Sequence, residues 1–180
     1  MLKSINKLCK LGLSNTKLKS LSSELGSDCP FFIDNSPSLV LGRGEIIAPL
    51  PFDLESLHIN KFRILIIHPK VHVNTQDAFT LLHQKPSSQK LDLLKLPSLP
   101  LNRWKEVLHN DFQNPIVKKH PEISNAINII EESNAEYVQM TGSGSSVFGL
   151  YQTKNHDEFF INTAMKKAAK LGFTTYFGAL

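Results

Sequence analysis

Two apolar runs separated by a short, small-residue loop constrain this chain most. Ala135 to Met140 and Ser146 to Tyr151 each read as a strand. Between them, Thr141-Gly142-Ser143-Gly144-Ser145 has room only to turn the chain back on itself. Strands joined by so tight a connection pair antiparallel, because a parallel pair needs a long crossover. A tight hairpin turn is one reading of this segment.

The neighbouring segments supply the rest of that fold. Phe62 to Ile67 reads as a buried strand stopped by His68-Pro69, and Phe173 to Phe177 as a last strand. Asn74 to Leu82 predicts a short helix capped by Asn74 or Thr75. Residues 84 to 103 are rich in Pro, Ser and Leu and read as a long connection with one helical turn. Trp104 to Leu108 and Phe112 to Lys118 predict short helices. Pro121 opens a clearer helix, with Ile123, Ile127 and Ile130 on one face. Asn155 and Glu158 have the spacing of a capping box for a helix through Leu171, ended by Gly172. From residue 60 onward the order is strand, helices, strand-loop-strand, helix, strand. That order predicts an α+β sandwich with helices on one face of a mainly antiparallel sheet.

The first third reads differently. Met1 to Leu13 predicts a helix from Leu2, Ile5, Leu8 or Cys9, and Leu11, closed by Gly12. It has no side-chain cap at its start. Ser14 caps a second helix that runs to Leu25, with Leu13 and Leu18 as a staple, and Gly26 ends it. Ser27-Asp28-Cys29-Pro30-Phe31-Phe32-Ile33 is a polar turn running into an apolar patch. Ser38 to Gly42 and Glu45 to Pro49 read as two short strands around Arg43-Gly44.

Composition removes several classes of function. Apolar residues at 41% and charged residues at 20% speak against disorder and against a coiled coil. The longest strongly apolar stretch is Ile64 to Ile67, far short of a bilayer crossing. A net charge of +4 does not call for a nucleic-acid partner. Five lysines precede the first acid, Glu24, and read either as a solvated helix face or as a surface near phosphates. The two cysteines, Cys9 and Cys29, form no CxxC pair, so neither a zinc site nor a disulfide framework follows, and a reducing cytoplasm fits. Seven histidines are scattered, without an HExxH pattern.

Three segments can carry chemistry. Asp28 follows a glycine-ended helix, where a carboxylate can accept a hydroxyl proton or simply form a turn. Thr141 to Ser146 offers hydroxyls and N–H groups that can cradle an anion, or a tight hairpin turn. It is neither GxGxxG nor a Walker loop, since a strand follows it and no Lys-Ser/Thr does. His68 to Phe79 runs from a strand into a helix cap, a common location for binding residues. His68 and His72 invite a metal reading, but no acid or cysteine nearby completes a ligand set.

Taken in order, Gly26-Ser27-Asp28-Cys29-Pro30-Phe31-Phe32, Gly42-Arg43-Gly44-Glu45-Ile46, His68-Pro69 with Thr75 and Phe79, Asn110-Asp111-Phe112, and Thr141-Gly142-Ser143-Gly144-Ser145-Ser146-Val147-Phe148 resemble one family. It is the 4-diphosphocytidyl-2-C-methyl-D-erythritol kinases, a branch of the GHMP small-molecule kinases. The resemblance implies an ATP-dependent, Mg2+-assisted phosphotransferase that acts on a tertiary hydroxyl in the non-mevalonate route to isoprenoids. It implies a small-molecule cytidyl diphosphate partner, with neither nucleic acid nor membrane. Asp28 matches the family's catalytic aspartate. Phe79 matches an aromatic that stacks on cytosine, and Thr75 a polar contact of the same pocket. Thr141, Gly142, Ser143, Gly144, Ser145 and Ser146 match the third glycine-rich motif.

The resemblance also implies an organisation. Residues 1–57 match the end of the GHMP N-terminal domain, and residues 58–180 the GHMP C-terminal domain, a ferredoxin-like sandwich. It begins inside the helix that follows the family's glycine-rich phosphate loop. The expectation is thus a C-terminal portion of the kinase, with Met1 an internal methionine and no measurable activity on its own. The alternative is a non-catalytic binding module that keeps the substrate groove.

Overall fold

The computed structural model describes residues 1–82, 92–154 and 157–180. They divide into two compact units, Met1–Leu54 and Glu55–Leu180.

In the first unit, helix α1 spans Leu2–Leu8 and α2 spans Asn15–Ser23. The expected cap of α2 is present: the Ser14 hydroxyl accepts from Lys17 N–H at 3.3 Å. Helix α1 stops short of Leu13, for an identifiable reason. The Asn6 amide donates to Leu13 C=O at 2.9 Å and accepts from Leu13 N–H at 3.0 Å, folding the following residues back. Lys10 and Gly12 both take positive φ there. Two of the early lysines hold structure rather than facing solvent freely. Lys3 Nζ donates to Ile33 C=O at 3.0 Å, and Lys19 pairs with Asp34. The apolar patch at Phe31 is a one-turn helix, α3 (Phe31–Asp34), ended by Asn35 in the left-handed region. Strands β1 (Leu39–Leu41) and β2 (Ile46–Ala48), the two short strands expected here, pair as an antiparallel hairpin.

The second unit is a four-stranded antiparallel sheet. Its strands are β3 (Phe62–His68), β4 (Tyr137–Met140), β5 (Val147–Gln152) and β6 (Thr174–Ala179), in the order β4-β5-β3-β6. Strand β3 pairs on one side with β5, Ile67 opposite Val147, and on the other with β6, Ile67 opposite Thr175. The helices are α4 (Thr75–Leu81), α5 (Gln113–Lys119), α6 (Pro121–Glu131) and α7 (Glu158–Lys170). This is the split β-α-β, ferredoxin-like arrangement of an α+β sandwich.

Alternation along β3 explains where the core sits. Leu65 and Ile67 are fully buried, packed with Ile116, Ile123, Ala126 and Ile130 of α5 and α6 and with Ile161, Ala164 and Ala168 of α7. Pro121 occupies the first turn of α6, as expected. The cap of α7 is Asp157, whose carboxylate accepts from Phe159 N–H at 2.8 Å. The capping box expected from Asn155 lies outside the described residues, as does the stretch 84–91 of the long connection. The described remainder of that connection is two 3-10 helices, Leu93–Ser98 and Leu101–Glu106, and the second takes in Trp104. Tyr137 and Tyr151 are buried, and burial pushes each phenol up to about 12. The Tyr151 hydroxyl is 2.5 Å from that of Ser133.

Candidate functional site

The hairpin loop between β4 and β5 is closed by its own backbone. Thr141 N–H donates to Ser146 C=O at 2.9 Å and Gly144 N–H to Thr141 C=O at 3.0 Å. Gly142 and Gly144 take positive φ, at 55° and 92°, which side chains other than glycine rarely adopt. Among the described residues, the N–H groups of Gly142, Ser143 and Ser145 have no acceptor. Free amides and hydroxyls crowded into one turn are the donor set an anionic oxygen needs.

Three other segments converge on this loop. The first is the end of β3. His68 Nδ1 lies 3.3 Å from Ser145 Oγ and 3.2 Å from Ser146 Oγ. The second is the start of α4. The Asn74 carboxamide caps that helix, accepting from Gln76 N–H at 2.8 Å. The cap sets Thr75 in the first turn, with its Oγ1 3.3 Å from Ser143 Oγ. The third is the residue pair ahead of and within α5. Asn110 Nδ2 donates to Met140 C=O at 2.7 Å and to Gly142 C=O at 2.8 Å, while its Oδ1 accepts from Phe112 N–H at 3.0 Å. The Gln113 side-chain carbonyl accepts from Met140 N–H at 2.8 Å. Asn110 and Gln113 thus give the last residue of edge strand β4 the backbone partners that a further strand would have supplied.

Phe79 lies one turn along α4 from Thr75. Its ring stands edge-to-face against Phe112, with centroids 4.9 Å apart, and the residue is 62% exposed. An aromatic ring so exposed can stack on a planar ring. Thr75, Phe79 and Thr141 to Ser146 are the residues of this unit that the sequence motifs single out. The structure brings these together and adds His68, Asn110, Phe112 and Gln113. His68 and Asn110 stood in the matching motifs without a role.

Asp28 belongs to the first unit. Its exposed carboxylate sits at the turn after α2, with the Ser27 hydroxyl at 3.4 Å from Oδ1. Gly44, in the β1–β2 turn with φ 117°, packs directly against that carboxylate and the Ser27 backbone. Glu45 closes the same turn, accepting from Arg43 N–H at 2.6 Å. Hydrogen bonds from its own N–H and that of Arg43 hold the Glu45 carboxyl below its ordinary range. Two motifs well separated in sequence, around Asp28 and around Gly44, therefore form one corner.

Among the described residues no three His, Cys, Asp or Glu side chains converge as a metal site, and no helix is long and apolar enough to cross a membrane.

The family described as GHMP kinases C terminal matches residues 96–170. A 4-diphosphocytidyl-2-C-methyl-D-erythritol kinase of Bacteroides thetaiotaomicron is 38% identical over 152 residues, which cover 84% of this chain and 53% of that protein. The kinase of the same name from Parabacteroides distasonis is 34% identical over 156 residues, covering 87% and 55%. The chain therefore spans about half the length of the curated relatives it matches. Among solved structures, a 4-(cytidine 5'-diphospho)-2C-methyl-D-erythritol kinase superposes with a TM-score of 0.72 at 18% identity, covering 97% of this chain and 60% of the other. A homoserine kinase from Cytophaga hutchinsonii superposes with a TM-score of 0.55 at 21% identity, covering 98% and 61%.

Proposed function

Because the chain belongs to the GHMP kinases, alongside the 4-diphosphocytidyl-2-C-methyl-D-erythritol kinases, we propose that its residues serve ATP-dependent phosphorylation of the tertiary 2-hydroxyl of 4-diphosphocytidyl-2-C-methyl-D-erythritol. In this reading residues 1–57 carry the base and residues 58–180 the substrate side. The observation that carries it is the convergence of Thr75, Phe79 and the Gly142–Ser146 turn at one end of β3.

Each residue has a physical task. Asp28 accepts the proton of the attacking hydroxyl, a contribution typically worth about 10²–10⁴-fold. Phe79 stacks on the cytosine ring, backed by Phe112. Thr75 and Ser143 present hydroxyls to the polar part of the substrate. The free amides of Gly142, Ser143 and Ser145 receive its anionic oxygens. His68 holds the Ser145 and Ser146 hydroxyls in position, and Asn110 holds the loop backbone. Phosphoryl transfer depends on positioning and charge stabilisation, so rigid support for such groups matters more than covalent help. GHMP kinases use ATP as phosphate donor. Magnesium would come with the nucleotide phosphates, and no step here is assigned to a metal held by these residues.

The test is a direct titration. The cytidyl substrate should bind with an affinity that falls on Phe79→Ala, whereas ATP affinity stays within about twofold, since stacking alone contributes about 1–3 kcal/mol. Equal losses for both nucleotides would show that Phe79 does not stack on the cytosine and refute the assignment.

A further inference from the structure

The far end of β3 carries a concavity. It lies within the second unit, at the Phe62 end of the strand, six residues from His68, which is on the order of 20 Å at ordinary strand rise. Its volume is about 510 Å³, within the usual range for small-molecule sites. The floor is apolar: Phe62, Leu96, Leu101 and Trp104. Phe62 and Trp104 meet edge-to-face with centroids 5.6 Å apart. The Trp104 indole N–H is already donated to Leu99 C=O at 3.3 Å, so this floor offers surface rather than polar groups.

The ionisable residues of its lining have one sign of charge: Lys61, Lys154 and His58. The two lysines are brought side by side by the start of β3 and the chain just after β5, where Thr153 N–H and Oγ1 both donate to Lys61 C=O at 2.7 Å. Among the described residues no Asp or Glu lines the groove, and neither lysine has an ion-pair partner. An apolar lining that also holds two lysines is complementary to a molecule with an apolar body and a single anionic end. Neither a neutral hydrocarbon nor a polar nucleotide satisfies both parts.

We propose that this groove is a second ligand site, separate from the glycine-loop site, that takes a small amphipathic monoanion such as a medium-chain carboxylate. The body lies on Trp104 and Phe62, and the carboxylate meets Lys61 and Lys154.

Trp104 is the single tryptophan of the chain, so its emission reports on this groove alone. The experiment titrates the whole chain with decanoate, kept below its micelle concentration, and follows Trp104 fluorescence. Acetate supplies the head without the body, and 1-decanol the body without the charge. Decanoate should give a saturable change, acetate none, and 1-decanol a change at least about tenfold weaker, the factor expected for a lost charge-assisted contact. The double variant Lys61→Gln/Lys154→Gln changes only surface side chains. It should keep the far-UV circular dichroism and bring decanoate down to the affinity of 1-decanol. The proposal is overturned if decanoate causes no saturable change, if 1-decanol binds equally well, or if the double variant binds decanoate like the parent.

Discussion

Gly44 leaves no space for a side chain beside Asp28: a Cβ there would meet the Asp28 carboxylate and the Ser27 backbone. The hairpin turn and the aspartate turn therefore position each other. In an active kinase containing these residues, Asp28→Ala should lower kcat at least about a hundredfold. Gly44→Ala should lower kcat in the same direction, because it displaces the carboxylate and strains a backbone at φ 117°. The double variant should be little worse than Asp28→Ala, as expected for residues acting as one unit. Steady-state kinetics on the three variants checks this, and additive losses would separate Gly44 from the base.

Phe79 and Phe112 make a graded pair. Phe79→Ala removes the stacking face and should weaken the cytidyl substrate by about 1–3 kcal/mol. Phe112→Ala leaves the face but removes its edge-on support, so a smaller loss is expected. Phe79→Tyr should bind almost normally. Calorimetric titration of the three variants orders these effects.

Asn110 ties the loop to the segment before α5 through three hydrogen bonds. Asn110→Ala leaves two carbonyls and one N–H to find new partners, at a cost of about 1–3 kcal/mol for each group left unsatisfied. Asn110→Asp should be worse still, since a carboxylate oxygen would face the Met140 and Gly142 carbonyls. Urea denaturation gives the stability change. Amide exchange at Gly142 to Ser146 should accelerate beyond the global loss.

The buried phenols set an alkaline limit on the second unit. Their folded pKa values of about 12 lie above the ordinary tyrosine value of about 10. A raised pKa means that the folded state holds its proton longer. The contribution is therefore complete below about pH 10 and is lost as pH rises toward 12. Replacing Tyr137 and Tyr151 by Phe should flatten the fall in urea midpoint between about pH 10 and 12. An unchanged slope would show that these phenols do not govern it.

Much of the sheet was legible because its signals are local. Strand β3 ends at His68-Pro69, Asn74 and Ser14 cap their helices, and Pro121 starts α6 within its first turn. The missed parts were those set by distant contacts or by structure without a 3.6-residue period. Leu93–Ser98 and Leu101–Glu106 are 3-10 turns, whose side chains carry no amphipathic helical stripe. Helix α1 is shortened by the Asn6 side chain, which no helix propensity encodes. The glycine loop announced itself by composition. Its supports did not: Asn110 reaches Met140 across 30 residues, and His68 reaches Ser145 across 77. Those partners exist only once β3, β4 and β5 lie side by side.

The central claim, that the β4–β5 loop and the start of α4 form one substrate site, is tested most directly by residue-resolved binding. Isotope-labelled chain is titrated with 4-diphosphocytidyl-2-C-methyl-D-erythritol while backbone amide resonances are followed. The account predicts saturable shifts concentrated at Thr75, Phe79 and Gly142 to Ser146, lost in Phe79→Ala, with Trp104 and its groove undisturbed. Shifts that bypass the loop and α4, or that persist unchanged in Phe79→Ala, would contradict it.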